Sequence, residues 1–153
     1  MKKALAIALT CTLSWAVHSQ PVPMPVSSSR HAAPQDDSLY QAFGQKAGIR
    51  ALMEDFKNRL LADARMNPFF KNTDRERLVT QLTDQLCYES GGPCVYKGAS
   101  MKPIHDGMEI GKEDFNALVE VLQQAMDAKG IAFSAQNRML ARLAPMHRDI
   151  IIK

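Results

Sequence analysis

The chain has 153 residues, 46% of them hydrophobic and 23% charged, with a formal net charge of +3. That length suits one domain, and the apolar share is enough to build a core, which excludes a disordered tail. Loss of Lys2 and Lys3 with the leader described next brings the charge close to balance, so nothing points to a nucleic-acid partner.

The first residues, MKKALAIALTCTLSWAVHSQ, set two lysines ahead of an apolar run from Ala4 to Val17, and Val17 and Ser19 fit the small-residue pattern of a cleavage site. The sequence predicts a signal peptide over residues 1–19 and a periplasmic protein. A membrane anchor is the rival reading. The run is shorter than the roughly 20 residues that span a bilayer, and Gln20 with its prolines follows directly, so no stable span is expected after cleavage. A lipoprotein acylated at Cys11 is a minor alternative, because the preceding ALT is a poor lipobox. Residues 20–37, QPVPMPVSSSRHAAPQDD, hold four prolines and three consecutive serines without periodicity and read as a flexible linker. The folded domain is expected over residues 38–153.

From there the pattern is helical. Ile49, Leu52, Met53, Phe56 and Leu60 recur at helical spacing and predict a helix from about Gly48 to Ala62. An NPFF turn follows. Thr73 and Glu76 form a capping-box pattern, and Leu78, Leu82 and Leu86 continue as one stripe to the SGGP stop. Pro103 is tolerated only near a helix start, so SMKPIHDGMEI supports a short helix at most. Phe115, Leu118, Val119, Leu122, Ala125 and Met126 predict a third long helix that ends at Gly130. Ser134 is the expected cap of a fourth, with Met139, Leu140, Leu143 and Met146 inward. No segment alternates with period two, so the fold class is all-α: four main helices, long irregular joins and no internal repeat.

Without Cys11, Cys87 and Cys94 remain as an even pair in an export context. The YESGGP between them can turn the chain back, which allows a disulfide; the alternative is two buried free thiols.

His105 stands alone on an apolar strip. Most such histidines are satisfied core residues, and HDGME offers too few ligands for structural zinc. No CxxCH occurs, which excludes c-type haem attachment. Haem is the cofactor that a single protein ligand can hold, since the porphyrin supplies four nitrogens and an apolar pocket supplies most of the binding energy.

Three stretches, DFKNRLLADARMNPFF, SGGPCVYKGASMKPIHDGM and LAPMHRDII, resemble the group 1 truncated haemoglobins, the short two-over-two globins, from about Leu39 to Ile151. The resemblance implies a two-over-two helical sandwich around haem b. It makes His105 the proximal iron ligand and counts Met101, which opens the M...H motif, among the haem-binding residues. Phe70 becomes the phenylalanine packed on the porphyrin face, with Tyr96 and Arg77 candidates for the haem edge and its propionates. Of the family's glycine pairs, Gly91 and Gly92 are present, and the earlier pair is partly kept as Gly44 and Gly48.

The distal side departs from the family. Lys57 stands where many relatives carry a tyrosine whose hydroxyl holds the bound gas. It either runs its stem out to water, donates a hydrogen bond to the ligand, or, as a neutral amine, takes the sixth iron position. Leu78, Gln81 and Leu82 fall where relatives place ligand-facing residues. Gln81 matches the distal histidine of six-coordinate members, and Gln85 is one turn further along. His147, in LAPMHRD, resembles the histidine that joins a haem vinyl group in cyanobacterial members; the alternative is an ordinary surface histidine.

The leading expectation is a haem globin that reversibly binds oxygen and other diatomic gases (nitric oxide, carbon monoxide). The resemblance also implies a nitric oxide dioxygenase activity, which would need an electron donor not identified in this chain. A periplasmic redox or electron-transfer protein with six-coordinate iron is the alternative, and a cofactor-free helical binding module is the third.

Overall fold

The computed structural model describes residues 36–151. The expected leader, and the linker through residue 35, lie outside the described residues. Among these, all regular structure is helical. Four long helices carry the architecture: α2 (Gln45–Ala62), α4 (Arg75–Glu89), α6 (Lys112–Ala128) and α7 (Phe133–Leu143). Short helices α1 (Ser38–Ala42), α3 (Asn67–Phe70), α5 (Met101–His105) and α8 (His147–Ile150) join or flank them, and a 3₁₀ turn, Ala144–Met146, leads into α8.

The α2 helix is the centre of the packing, against α4 on one side and α6 on another, while α7 meets α4 and α6. The result is a two-over-two sandwich. The five positions expected on the inner face of α2, Ile49, Leu52, Met53, Phe56 and Leu60, are all buried. Removing each such side chain from water contributes about 1.5–3 kcal/mol before entropy is counted. Val121, Leu122, Ala125 and Met126 of α6 complete the core with Val79 and Leu86 of α4 and Met139 of α7. No helix among the described residues is long and apolar enough to cross a membrane.

Several helix ends differ from expectation for local reasons. The α2 helix begins at Gln45, three residues before the expected start, because Gly44 adopts φ +71° and lets the chain enter the helix sooner. The α4 helix is capped by Asp74, not Thr73: the Asp74 Oδ1 accepts the Arg77 backbone N–H at 3.0 Å. Glu76 reaches sideways to Arg50 at 2.7 Å instead of back to the cap. Ser134 lies inside α7, which starts at Phe133 after Ala132, so it is not the cap.

The stripe on α4 is also rotated from the leucine pattern. Val79, Thr83, Leu86 and Cys87 face the core, while Leu78 is only half-buried and looks toward the cavity described below. Cys87 and Cys94 are joined as a disulfide with Cα atoms 5.7 Å apart, which fixes the open alternative in favour of the bonded pair.

Candidate functional site

A cavity of about 550 Å³ opens where α3, α4, α5 and the start of α6 converge. That size falls within the range of small-molecule sites, and its walls are mainly apolar. Phe69 and Phe70 come from α3, Leu78 from α4, Ile104 from α5, and Phe115 and Leu118 from α6, with Met108 and Ile110 from the turn between α5 and α6. Phe115 and Leu118 share a face because they lie three apart in a helix.

His105 is the last residue of α5 and lines this cavity. Its Nδ1 lies 2.7 Å from the Met101 carbonyl oxygen one turn earlier. A carbonyl only accepts, so Nδ1 carries the hydrogen, and in the neutral ring the lone pair is then on Nε2. A single-turn helix therefore fixes both the orientation and the tautomer of the ring, leaving one nitrogen able to bind a metal. Among the described residues no three His, Cys, Asp or Glu side chains gather as a metal site of their own.

Polar groups collect at the rim. Arg77 and Gln81 stand one turn apart on α4, and Tyr96 and Lys97 come from the irregular segment 91–100. Burial pushes the Tyr96 phenol above its ordinary range, and its hydroxyl donates to the Ala99 carbonyl at 3.3 Å. Its ring lies over Gly98, where any side chain would collide with the phenol. Two carboxylates at the rim are engaged by helix starts: Asp74 at the Arg77 N–H, and Asp114 at the Gly111 N–H, 2.9 Å away. Arg77 and Lys97 carry no ion pair among the described residues and so offer two cations to an anionic edge.

Of the residues singled out in the sequence, His105, Phe70, Tyr96, Arg77, Leu78 and Gln81 meet in this cavity. The other five lie elsewhere. Met101 contributes its carbonyl to His105 and does not line the cavity. Leu82 packs against the core. Gln85 is buried and donates to the Met146 sulfur at 3.3 Å, tying α4 to the 3₁₀ turn. Lys57 turns to Glu54, with Nζ 2.7 Å from Oε2, and this pairing holds the Glu54 carboxyl below its usual range. His147 is exposed, its Nδ1 3.0 Å from the Ala144 carbonyl and its ring 6.2 Å from that of Phe115, one aromatic layer outside the cavity.

Lys97 and Phe69 are cavity residues that sequence reasoning missed. The helical period gave some signal for Phe115 and Leu118, but read them as ordinary core. Nothing in the local pattern marks Lys97, whose position depends on how segment 91–100 folds back.

A two-over-two helical sandwich with one histidine on an apolar cleft is the architecture of a truncated globin. A model of bacterial-like globins matches residues 38–151. The chain is 31% identical over 116 residues to a group 1 truncated haemoglobin of Tetrahymena pyriformis, covering 76% of this chain and 96% of that one. A group 1 truncated haemoglobin of Mycolicibacterium paratuberculosis is 30% identical over 113 residues, covering 74% and 83%. The crystal structure of the Tetrahymena pyriformis truncated haemoglobin in its Fe(III) form superposes with a TM-score of 0.72 at 31% identity, over 75% of this chain and 98% of that one. The chain belongs to the bacterial-like globins, as a group 1 truncated haemoglobin.

As a globin it binds haem, and with haem a diatomic gas. The residues present fit that cofactor: an apolar slot faced by Phe70, Phe115 and Leu118, one imidazole with a free lone pair, and two uncommitted cations for carboxylate tails. Haem would supply the iron that takes a gas ligand; the chain supplies the orientation of His105, the exclusion of water by the aromatic walls, and the Gln81 amide as a hydrogen-bond donor at the rim.

Proposed function

We propose that this chain is an exported haem b globin that reversibly binds oxygen and, with electrons from an external reductant, converts nitric oxide to nitrate. The observation that carries the reading is the His105 to Met101 bond, which presents Nε2 as a ligand on a residue lining an apolar cavity. Haem b is favoured because the sequence has no CxxCH for thioether attachment. The conversion balances as nitric oxide plus oxygen plus one electron giving nitrate, so each turnover consumes an electron from a donor outside this chain. Export is supported by the leader pattern of residues 1–19 and by the paired cysteines, which suit an oxidising compartment.

An open sixth position is supported by the surroundings of Lys57, whose ammonium is engaged by Glu54 and lies off the cavity wall. This weighs against the six-coordinate redox alternative. The test is a set of absorption spectra of ferric, ferrous and carbonmonoxy forms for wild type, His105→Gly and Lys57→Ala. A Soret band with five-coordinate ferrous iron is expected in wild type and in Lys57→Ala, and loss of tight haem in His105→Gly. A low-spin ferrous wild type that turns high-spin in Lys57→Ala would overturn the open position. Nitrate formed in equal amount to nitric oxide added to the oxygenated protein tests the dioxygenase step, and release by osmotic shock of a product shortened by the leader, after expression from the full sequence, tests export.

A further inference from the structure

We propose that the Cys87–Cys94 disulfide is a thiol-exchange site, opened at Cys94 by a dithiol reductant, and that opening it loosens the hold of the pocket on its cofactor. The proposal rests on the haem-binding reading above.

The disulfide joins two parts of the pocket that are otherwise weakly connected. Cys87 is fully buried in the last turn of α4, the helix that carries Arg77, Leu78 and Gln81. Cys94 lies in segment 91–100, which contributes Tyr96, Lys97, Gly98 and Ala99 to the cavity and then runs directly into α5 and His105. Among the described residues, backbone hydrogen bonds outside the helices reach this segment only at its near end. Gly91 donates to the Tyr88 carbonyl at 3.0 Å and Gly92 to the Cys87 carbonyl at 2.8 Å. Gly92 is held so closely that a Cβ there would sit 2.6 Å from the Tyr40 ring and 2.8 Å from the Cys87 sulfur. Beyond Gly92 the Tyr96 to Ala99 bond is internal to the segment. The disulfide is thus the covalent tie between α4 and the strip of chain that delivers the rim and the iron ligand.

Access decides which sulfur reacts. The Cys87 sulfur is enclosed, whereas Cys94 is half-buried and lies beside Val95, 68% exposed, with Tyr88, 57% exposed, on the adjoining helix end. A thiolate of the dithiol attacks the Cys94 sulfur, the bond to Cys87 breaks, and Cys87 leaves as a thiolate that takes up a proton. The second thiol of the dithiol then displaces Cys94 from the mixed disulfide. Two electrons and two protons pass to the protein, and the dithiol ends as a disulfide.

The experiment loads the whole protein with ferric haem and mixes it with excess apomyoglobin as haem acceptor, following the Soret change with and without dithiothreitol. Alkylation by iodoacetamide after reduction counts the thiols, and Cys87→Ser/Cys94→Ser serves as the control for any direct effect on haem. Release from wild type is expected to accelerate about tenfold on reduction, to the rate of the double variant, which itself does not respond. Equal release rates from wild type with both thiols alkylated and with the bond intact would overturn the proposal, as would a bond that the dithiol does not open in the folded protein. A dithiol protein stripped of its resolving cysteine should be trapped on Cys94; trapping on Cys87 overturns the assigned point of attack. If the double variant does not fold, the wild-type comparison decides alone. Absence of any Soret band in the oxidised protein would instead refute the haem reading, so the two failures are distinct.

Discussion

Between α2 and α6, Leu52, Met53, Phe56 and Val121 are all but removed from solvent, whereas from Gly91 to Gly111 only Ile110 is buried. The first region is fixed by close packing, where shape is enforced by many simultaneous contacts. The second carries His105, Tyr96 and Lys97 and is fixed by a few identifiable bonds: a disulfide, the His105 to Met101 contact and the Asp114 cap. The scaffold is therefore insensitive to small local changes near the site, while the site is sensitive to each of its ties. Such a division suits a pocket that must admit a large planar cofactor without unfolding its support.

The sharpest way to break the contrast is to cut into the packed side. Leu52→Ala removes a fully buried side chain and is expected to lower stability by about 2–5 kcal/mol in denaturant unfolding, while Ile104→Ala, at a residue 47% exposed, should cost under about 1 kcal/mol. Comparable losses for the two would remove the distinction between the regions.

Next in size is the rim. Arg77→Ala with Lys97→Ala is expected to speed haem release about five- to tenfold, with the difference shrinking as salt is raised, and to leave the denaturation midpoint of the haem-free chain nearly unchanged. A salt-independent effect would mean the cations act by packing. Asp74→Ala should cost about 1 kcal/mol by removing the α4 cap, read as a lower melting temperature, with Asp74→Asn keeping most of it.

The smallest effect concerns pH. Hydrogen bonds from the Arg65 side chain and backbone lower the Asp63 carboxyl from 3.8 to about 2, and Arg65 also bridges to Glu120 on α6 at 2.8 Å. A depressed carboxyl stabilises the fold above its unfolded value, and this contribution fades as pH falls from 3.8 toward 2. Asp63→Asn should flatten the melting temperature slightly across that interval; because the pair is exposed, a large change would point to a second carboxylate.

The main helices were legible in the chain because each buries one face, and burial writes a 3.6-residue period into the order of residues: Ile49 to Leu60 for α2, Leu122 to Met126 for α6. Caps were less legible: Thr73 and Ser134 are both competent, yet Asp74 caps α4 and α7 starts after Ala132, because the outcome depends on where the preceding turn places the chain. His105 could be named from the sequence only with the help of family likeness, because one histidine has no spacing to read.

What the sequence determined by itself was the all-helical class, the inward stripes of α2 and α6 and the availability of a paired cysteine bridge, because these follow from neighbours close along the chain. Tertiary structure alone decided that Leu78 faces a cavity and Leu82 the core, that Lys57 turns to Glu54, and that Lys97 lines the same cavity as Arg77. Each of those outcomes depends on the rotation of a helix or the path of an irregular segment relative to distant residues, and contacts between distant residues leave no local periodic pattern.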